Sequence, residues 1–183
     1  MATLKFRVLL DTEKESEIFR DILINDDDNF ESLYHAIINS FRFEGNQMAS
    51  FYLSNDDWDK GHEISLMDVS YGDEDIDEKT SVMSNTKLKE LIVRKNQKII
   101  LVYDFLRMWI FLIELIEITT KFQENPETVF SIGMAPPEDS KMANLEEEEE
   151  EMYSDEFDDL DDEFDEDFED GYDDEDYKNF EEY

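Results

Sequence analysis

The sequence predicts an α+β protein: a mainly antiparallel sheet of about five strands with two or three helices, followed by a disordered acidic C-terminal tail. Three observations carry that expectation. Apolar residues alternate over the first 24 positions, they change to a helical spacing between Phe30 and Phe41, and composition collapses to acid after Leu145. Two parts follow, an α+β domain over residues 1–145 and a polyacidic segment over 146–183.

In "TLKFRVLLD", Leu4, Phe6, Val8 and Leu10 share one face with Lys5 and Arg7 on the other, the period of a half-buried strand. "EIFRDILIN" alternates likewise, with Ile18, Ile22 and Ile24 on the face that also carries Arg20, and "TEKES" joins the two as a hairpin. In "DDDNFESLYHAIINSFRF" the residues Phe30, Leu33, Tyr34, Ile37, Ile38 and Phe41 line one helical face, and Asp28 with Glu31 reads as a capping pair. "MASFYLSN" reads as a short strand and "HEISL" as a short edge strand. Behind Ser84, Asn85 and Thr86, "SNTKLKELIV" reads as a helix of two or three turns.

The run "IILVYDFLRMWIFLIELIEI", Ile99 to Ile118, is the most apolar part of the chain, yet Asp104, Arg107, Glu114 and Glu117 fall inside it. A membrane span needs about 20 mostly apolar residues, and charges at that depth are costly. Its β-branched and aromatic content points instead to two strands covered on both sides and reversing near Asp104–Arg107, with a helix over Met108–Ile118 as the alternative. Beyond Thr120 the chain reads as irregular through "NPETVFSIGMAPPEDS".

Charge narrows the function classes. The chain has 52 acidic and 16 basic residues, a net charge of −36, and the stretch from Glu146 to Tyr183 holds 24 acids and one Lys. Nucleic-acid and anionic-membrane binding need basic surface that no stripe here provides, so basic proteins are the expected partners. With no Cys, disulfides, thiolate metal sites and a Cys nucleophile are excluded. His35 and His62 are too isolated for a zinc site, and "DDDNFE" lacks the Gly of a calcium loop. No catalytic constellation, cofactor motif or metal site is legible, and the N-terminus has no apolar run of signal-peptide length, so a soluble cytoplasmic protein is expected.

Short motifs in order carry a family resemblance. Phe19 and Arg20 lie in the second strand, and Tyr103, Asp104 and Phe105 end a later one. Trp109 follows, and then Pro136, Pro137, Glu138 and Asp139. Over about Leu4 to Asp139 the chain resembles the family named after the third open reading frame of plasmid pRiA, whose members are also labelled insertion-element passenger, TnpR-like. The segment "MASFYLSNDDWDKGHEISL" looks like its acidic-tailed branch. The resemblance implies an α+β fold with one curved sheet and helices packed against it, and no established biochemical function. Leu106 and Arg107 stand where the family pattern has Gly-Asp, and Leu33-Tyr34, with His35 one step on, stand where many relatives have Leu-His. The recombinase label fits poorly, because the strand "LKFRVLLD" has no nucleophilic Ser and the chain has no basic DNA-binding segment.

Two readings of the motif residues stand side by side. Asp104, Glu138 and Asp139 with Trp109 could line a cleft for a small ligand or hard cation, or Asp104 caps a turn while Glu138 and Asp139 anchor the loop after Pro137. In the acidic segment Tyr153, Phe157, Leu160, Phe164, Phe168 and Tyr172 are spaced four, three, four, four and four apart, one side of a helix that like-charge repulsion keeps from forming alone. Such a stripe suits a partner with a basic rim and an apolar groove. A purely solvating tail has no need of Phe. The leading expectation is therefore a non-enzymatic interaction protein that binds a basic partner, in one version as a nucleic-acid mimic. A small-ligand or metal-dependent enzyme and a mobile-element accessory are the alternatives.

Overall fold

The computed structural model describes residues 1–12, 17–68 and 81–141. Its strands are β1 (Thr3–Leu10), β2 (Phe19–Asn25), β3 (Ala49–Ser54), β4 (Lys60–Ser65), β5 (Ser81–Val82), β6 (Lys98–Tyr103), β7 (Trp109–Thr119) and β8 (Glu127–Ile132). Two α-helices, α1 (Phe30–Phe41) and α2 (Leu88–Leu91), interrupt them, and a 3-10 turn spans Glu138–Ser140. The strands form one sheet in the order β5-β4-β3-β6-β7-β1-β2-β8. Every neighbouring pair is antiparallel except β4 and β5.

The expectation of about five strands with two or three helices is thus corrected to one mixed sheet of eight strands with two helices, the second a single turn. β8 was missed for a physical reason. It lies at the sheet edge with all six residues exposed, so no buried face imprints period two on "ETVFSI". β5 is too short, at two residues, to carry any pattern. The second helix is shorter than its Leu88, Leu91 and Ile92 spacing suggested, and its N-cap is Lys87 rather than Ser84, Asn85 or Thr86.

The remaining elements follow their sequence. β1 and β2 pair as the expected hairpin, Phe6 opposite Ile22. In α1 the six apolar positions are all buried, but the cap is Asn29, whose Oδ1 accepts from the Ser32 N–H at 2.9 Å, in place of Asp28 with Glu31. A left-handed Arg42 (φ 62°) ends the helix while the Phe43 N–H reaches back to the Ile38 carbonyl, which satisfies carbonyls the last turn leaves open. The apolar run Ile99–Ile118 is β6, its turn and most of β7, not a helix, and β6 is buried on both faces. Among the described residues no helix is long and apolar enough to cross a membrane.

The core lies between α1 and one sheet face. Phe41 and Phe43 pack edge-on against Phe111 and Trp109 at 5.0 and 5.1 Å, and Phe30 meets Phe51 at 5.4 Å. Each fully buried aliphatic or aromatic side chain contributes roughly 1.5–3 kcal/mol. The opposite face carries Arg7, Leu9, Phe19, Asp21, Leu112 and Glu114. There Asp21, 2% exposed, receives two hydrogen bonds from Arg7 at 2.8 and 2.9 Å.

Candidate functional site

The motif residues gather at one end of the sheet, where β6 turns into β7 and the chain after β8 crosses over. Period two sends Phe19 and Arg20 to opposite faces. Phe19 lies on the open face against Phe130 at 5.8 Å, beneath the Arg7 guanidinium. Arg20 points into the covered side, 7% exposed, where the alternation of Ile18, Ile22 and Ile24 had placed it.

Among the described residues no carboxylate meets Arg20 there. Its guanidinium donates to the carbonyls of Phe19 (2.8 Å), Ser40 (3.1 Å), Ile132 (2.7 Å) and Gly133 (3.1 Å) and stacks 4.7 Å over Phe41. Burial, then the nearby Arg42, lowers its pKa from the usual guanidinium value. The Ser40 carbonyl belongs to the last turn of α1, the negative end of the helix dipole, so the cation is held by peptide dipoles from three segments. Gly133, at φ +73°, passes so close that an added Cβ would stand 2.8 Å from the Glu17 carbonyl.

Asp104 is a turn-former. It sits at φ 57°, and its Oδ1 accepts from the N–H groups of Leu106 (3.1 Å) and Arg107 (3.2 Å). Its Oδ2 pairs with the Arg107 guanidinium at 3.2 Å. In place of the family's Gly-Asp, Leu106 needs no left-handed backbone and Arg107 supplies a counter-ion to Asp104 itself. Phe105 is exposed at the turn tip.

Glu138 is the hub of a latch. One carboxylate oxygen accepts the Tyr103 hydroxyl at 2.6 Å and the other accepts the Glu44 N–H at 2.6 Å, while its carbonyl accepts the Trp109 indole N–H at 3.0 Å. Tyr103 also accepts from the Gly45 N–H at 3.0 Å. Burial first, then the bond to Glu138, raises the Tyr103 hydroxyl above the ordinary phenol range, and burial beside Glu138 pushes Tyr34 up to about 12. Lys141 closes the latch, donating to the Met108 carbonyl at 2.6 Å with its ammonium 5.4 Å over the Trp109 ring. Pro136 and Pro137 carry the chain into this turn. Asp139 is exposed and has no partner among the described residues.

The structure thus joins Tyr103, Trp109 and Glu138 with Tyr34, which stands at the family's Leu-His position, and adds Glu44, Gly45 and Lys141, which sequence reading missed because none lies in a recognisable motif. Asp104 serves its own turn and Arg20 a neighbouring junction. Two cavities stand out, and of the motif residues only Phe19 lines either. One, of about 480 Å³, lies between α1 and β8 against Ser32, His35, Ala36, Asn39, Ser40, Pro126 and Thr128. The other, of about 210 Å³, is on the open face between Arg7, Phe19, Trp58 and Leu112. Among the described residues no group of three or more His, Asp or Glu side chains converges on a point where a metal would sit. The aromatic stripe Tyr153, Phe157, Leu160, Phe164, Phe168 and Tyr172 lies outside the described residues.

A one-sheet domain with its covered face capped by a single long helix, and its family motifs used as internal fastenings, defines a class of small sheet-based modules. Within that class, the chain belongs to the plasmid pRiA4b ORF-3-like protein family, whose model matches residues 2–181, through the acidic segment as well as the sheet. It is similar in structure to a Methanosarcina mazei Go1 protein of unknown function, at 21% identity and a TM-score of 0.61, over 85% of this chain and 83% of that one. No curated protein matches it.

Proposed function

We propose that this protein is a non-enzymatic interaction module that presents its acidic, aromatic-spaced C-terminal segment to a basic protein partner. The carrying observation is the segment itself: 24 acids against one Lys from Glu146 to Tyr183, with large apolar residues recurring every three or four positions. The folded domain supports the reading from the other side. Every carboxylate oxygen of Asp104 and Glu138 already accepts from a backbone, tyrosine or arginine donor of the domain, so both side chains serve as internal fastenings.

Binding combines long-range attraction, which salt screens, with burial of the aromatic anchors, which salt does not. A partner whose groove normally accepts nucleic acid has both the basic rim and the apolar floor that this requires. The test is capture from host lysate at low and physiological salt. It compares the full chain, a Phe157→Ala/Phe164→Ala/Phe168→Ala variant and a chain with the segment scrambled at constant composition. A basic protein retained by the full chain at physiological salt and lost from both variants supports the proposal. Equal retention by all three reduces the segment to nonspecific charge.

A further inference from the structure

We propose that the outer edge of β8, with the groove between it and α1, is a docking site for an extended, basic, β-prone segment of a partner protein. The site belongs to the folded domain and is built from no residue of the acidic segment.

β8 pairs with β2 along one edge only, and no described strand lies along the other. An unpaired edge offers a row of backbone N–H and C=O groups, and proteins usually blunt it with Lys, Pro or a very short strand. "ETVFSI" has six residues with no Lys or Pro, and Val129, Phe130 and Ile132 are 41–48% exposed. Among the described residues the blunting devices are Pro126 just ahead of the strand, Glu127 at its first position and a register shift opposite Asp21/Ile22, which leave Phe130–Ile132 without one.

The edge is braced at both ends. The Asn25 side chain exchanges hydrogen bonds with the backbone of Gln123 ahead of the strand, and Arg20 holds the Ile132 and Gly133 carbonyls behind it. Such bracing lowers the ordering cost of a docked strand.

The groove supplies side-chain recognition. Thr128 pairs with Ile22 and so faces the helix side, while Phe130 and Ile132 pair with Asp21 and Phe19 and face the other side. A strand added outside β8 alternates in the same way. Every second side chain enters the 480 Å³ groove against Ala36 and Asn39, and the others rest beside Phe130 and Ile132.

Charge selects the occupant. Glu31, Glu124 and Glu127 belong to the segments bounding the groove's Pro126 end, and the only charge-capable group lining it, His35, lies 4.0 Å from Glu31. A second copy of this chain, or its own acidic segment, brings like charge to an already negative surface, whereas Lys or Arg flanking a β-prone stretch is attracted.

The probe is a short capped peptide alternating Val and Lys, added to isotope-labelled full-length protein and followed by amide NMR and hydrogen exchange. Saturable shifts at Thr128–Ile132 and Asn39, with slowed exchange along β8, are expected. Methylating alternate peptide nitrogens should weaken that binding by roughly tenfold or more, since several backbone hydrogen bonds go at once. Glu in place of Lys should weaken it too. Asn39→Trp should block the groove while leaving the circular dichroism unchanged, and the triple Phe→Ala variant of the acidic segment should leave β8 binding intact. Equal affinity for the N-methylated peptide, or shifts confined to residues after Leu145, overturns the proposal. Self-association through β8 overturns it as well, by assigning the edge to a second copy.

Discussion

Arg20 and Asp21 are neighbours on β2, yet they solve the burial of charge in opposite ways. On the helix-covered face Arg20 meets four carbonyls and an aromatic ring and, among the described residues, no anion. On the open face Asp21 meets Arg7 in a forked pair, with Lys5 at 3.7 Å. The covered face thus spends a cation on fastening three segments together, and its worth depends on shape. The open face holds an ion pair whose worth depends on charge and solvent.

Arg20→Met breaks the covered face. Four carbonyls lose a donor and Phe41 loses its stacking partner, so unfolding stability should fall by about 3 kcal/mol or more. Urea titration reads this as a lower midpoint at unchanged slope. Arg20→Lys should recover little of it, because one ammonium cannot reproduce the planar fork. Full recovery by Lys would mean that charge alone was at stake.

The covered face also answers to alkali. Tyr34 ionises at about 12 in the folded protein against 10.0 for a free phenol, and Tyr103 is raised as well. Between those values the unfolded chain releases the Tyr34 proton and the folded one keeps it, so its contribution is complete below pH 10 and is lost as pH rises toward 12. Tyrosinate absorbance followed together with unfolding should show the last phenols ionising only as the fold melts.

Tyr103→Phe removes one bond to Glu138 and one acceptor for Gly45, a cost of about 1–2 kcal/mol. Differential exchange should place the loosening at residues 133–141. Asp21→Asn breaks the open face. With Arg7 half exposed the loss should be near 1 kcal/mol and should shrink in high salt, unlike that of Arg20→Met. The smallest effect is expected outside both faces, at Asp27, held near a pKa of 2 by Lys89 and Lys87 in a partly exposed turn. Asp27→Asn should leave the neutral-pH midpoint almost unmoved, and any benefit of the carboxylate should vanish as pH drops from 3.8 toward 2.

What was legible in the sequence follows the same division. Elements with one buried and one open face, such as β1, β2 and α1, print their period in the residues, and even the burial of Arg20 was visible as a charge among alternating Ile. β8 has no buried face, so its strand was invisible. The motif Tyr103-Asp104 and Glu138 was found as residues but not as geometry. Whether a carboxylate faces a substrate or a backbone N–H depends on Glu44, Gly45 and Arg107, whose positions only the folded chain defines. In the plainer of the two readings, Asp104 as a turn cap and Glu138 as a loop anchor match the contacts they make, whereas Asp139, named there as a second anchor, meets no described residue.

The strand pairings also govern when this protein can exist during its synthesis. Thr3 lies opposite Thr119 and Leu10 opposite Phe111, while the carbonyls that satisfy Arg20 belong to Ile132 and Gly133. Once synthesised, β1 therefore waits for about a hundred further residues before it gains β7 as its neighbour. Meanwhile the aliphatic stretch Ile99–Ile118 emerges before its sheet is closed.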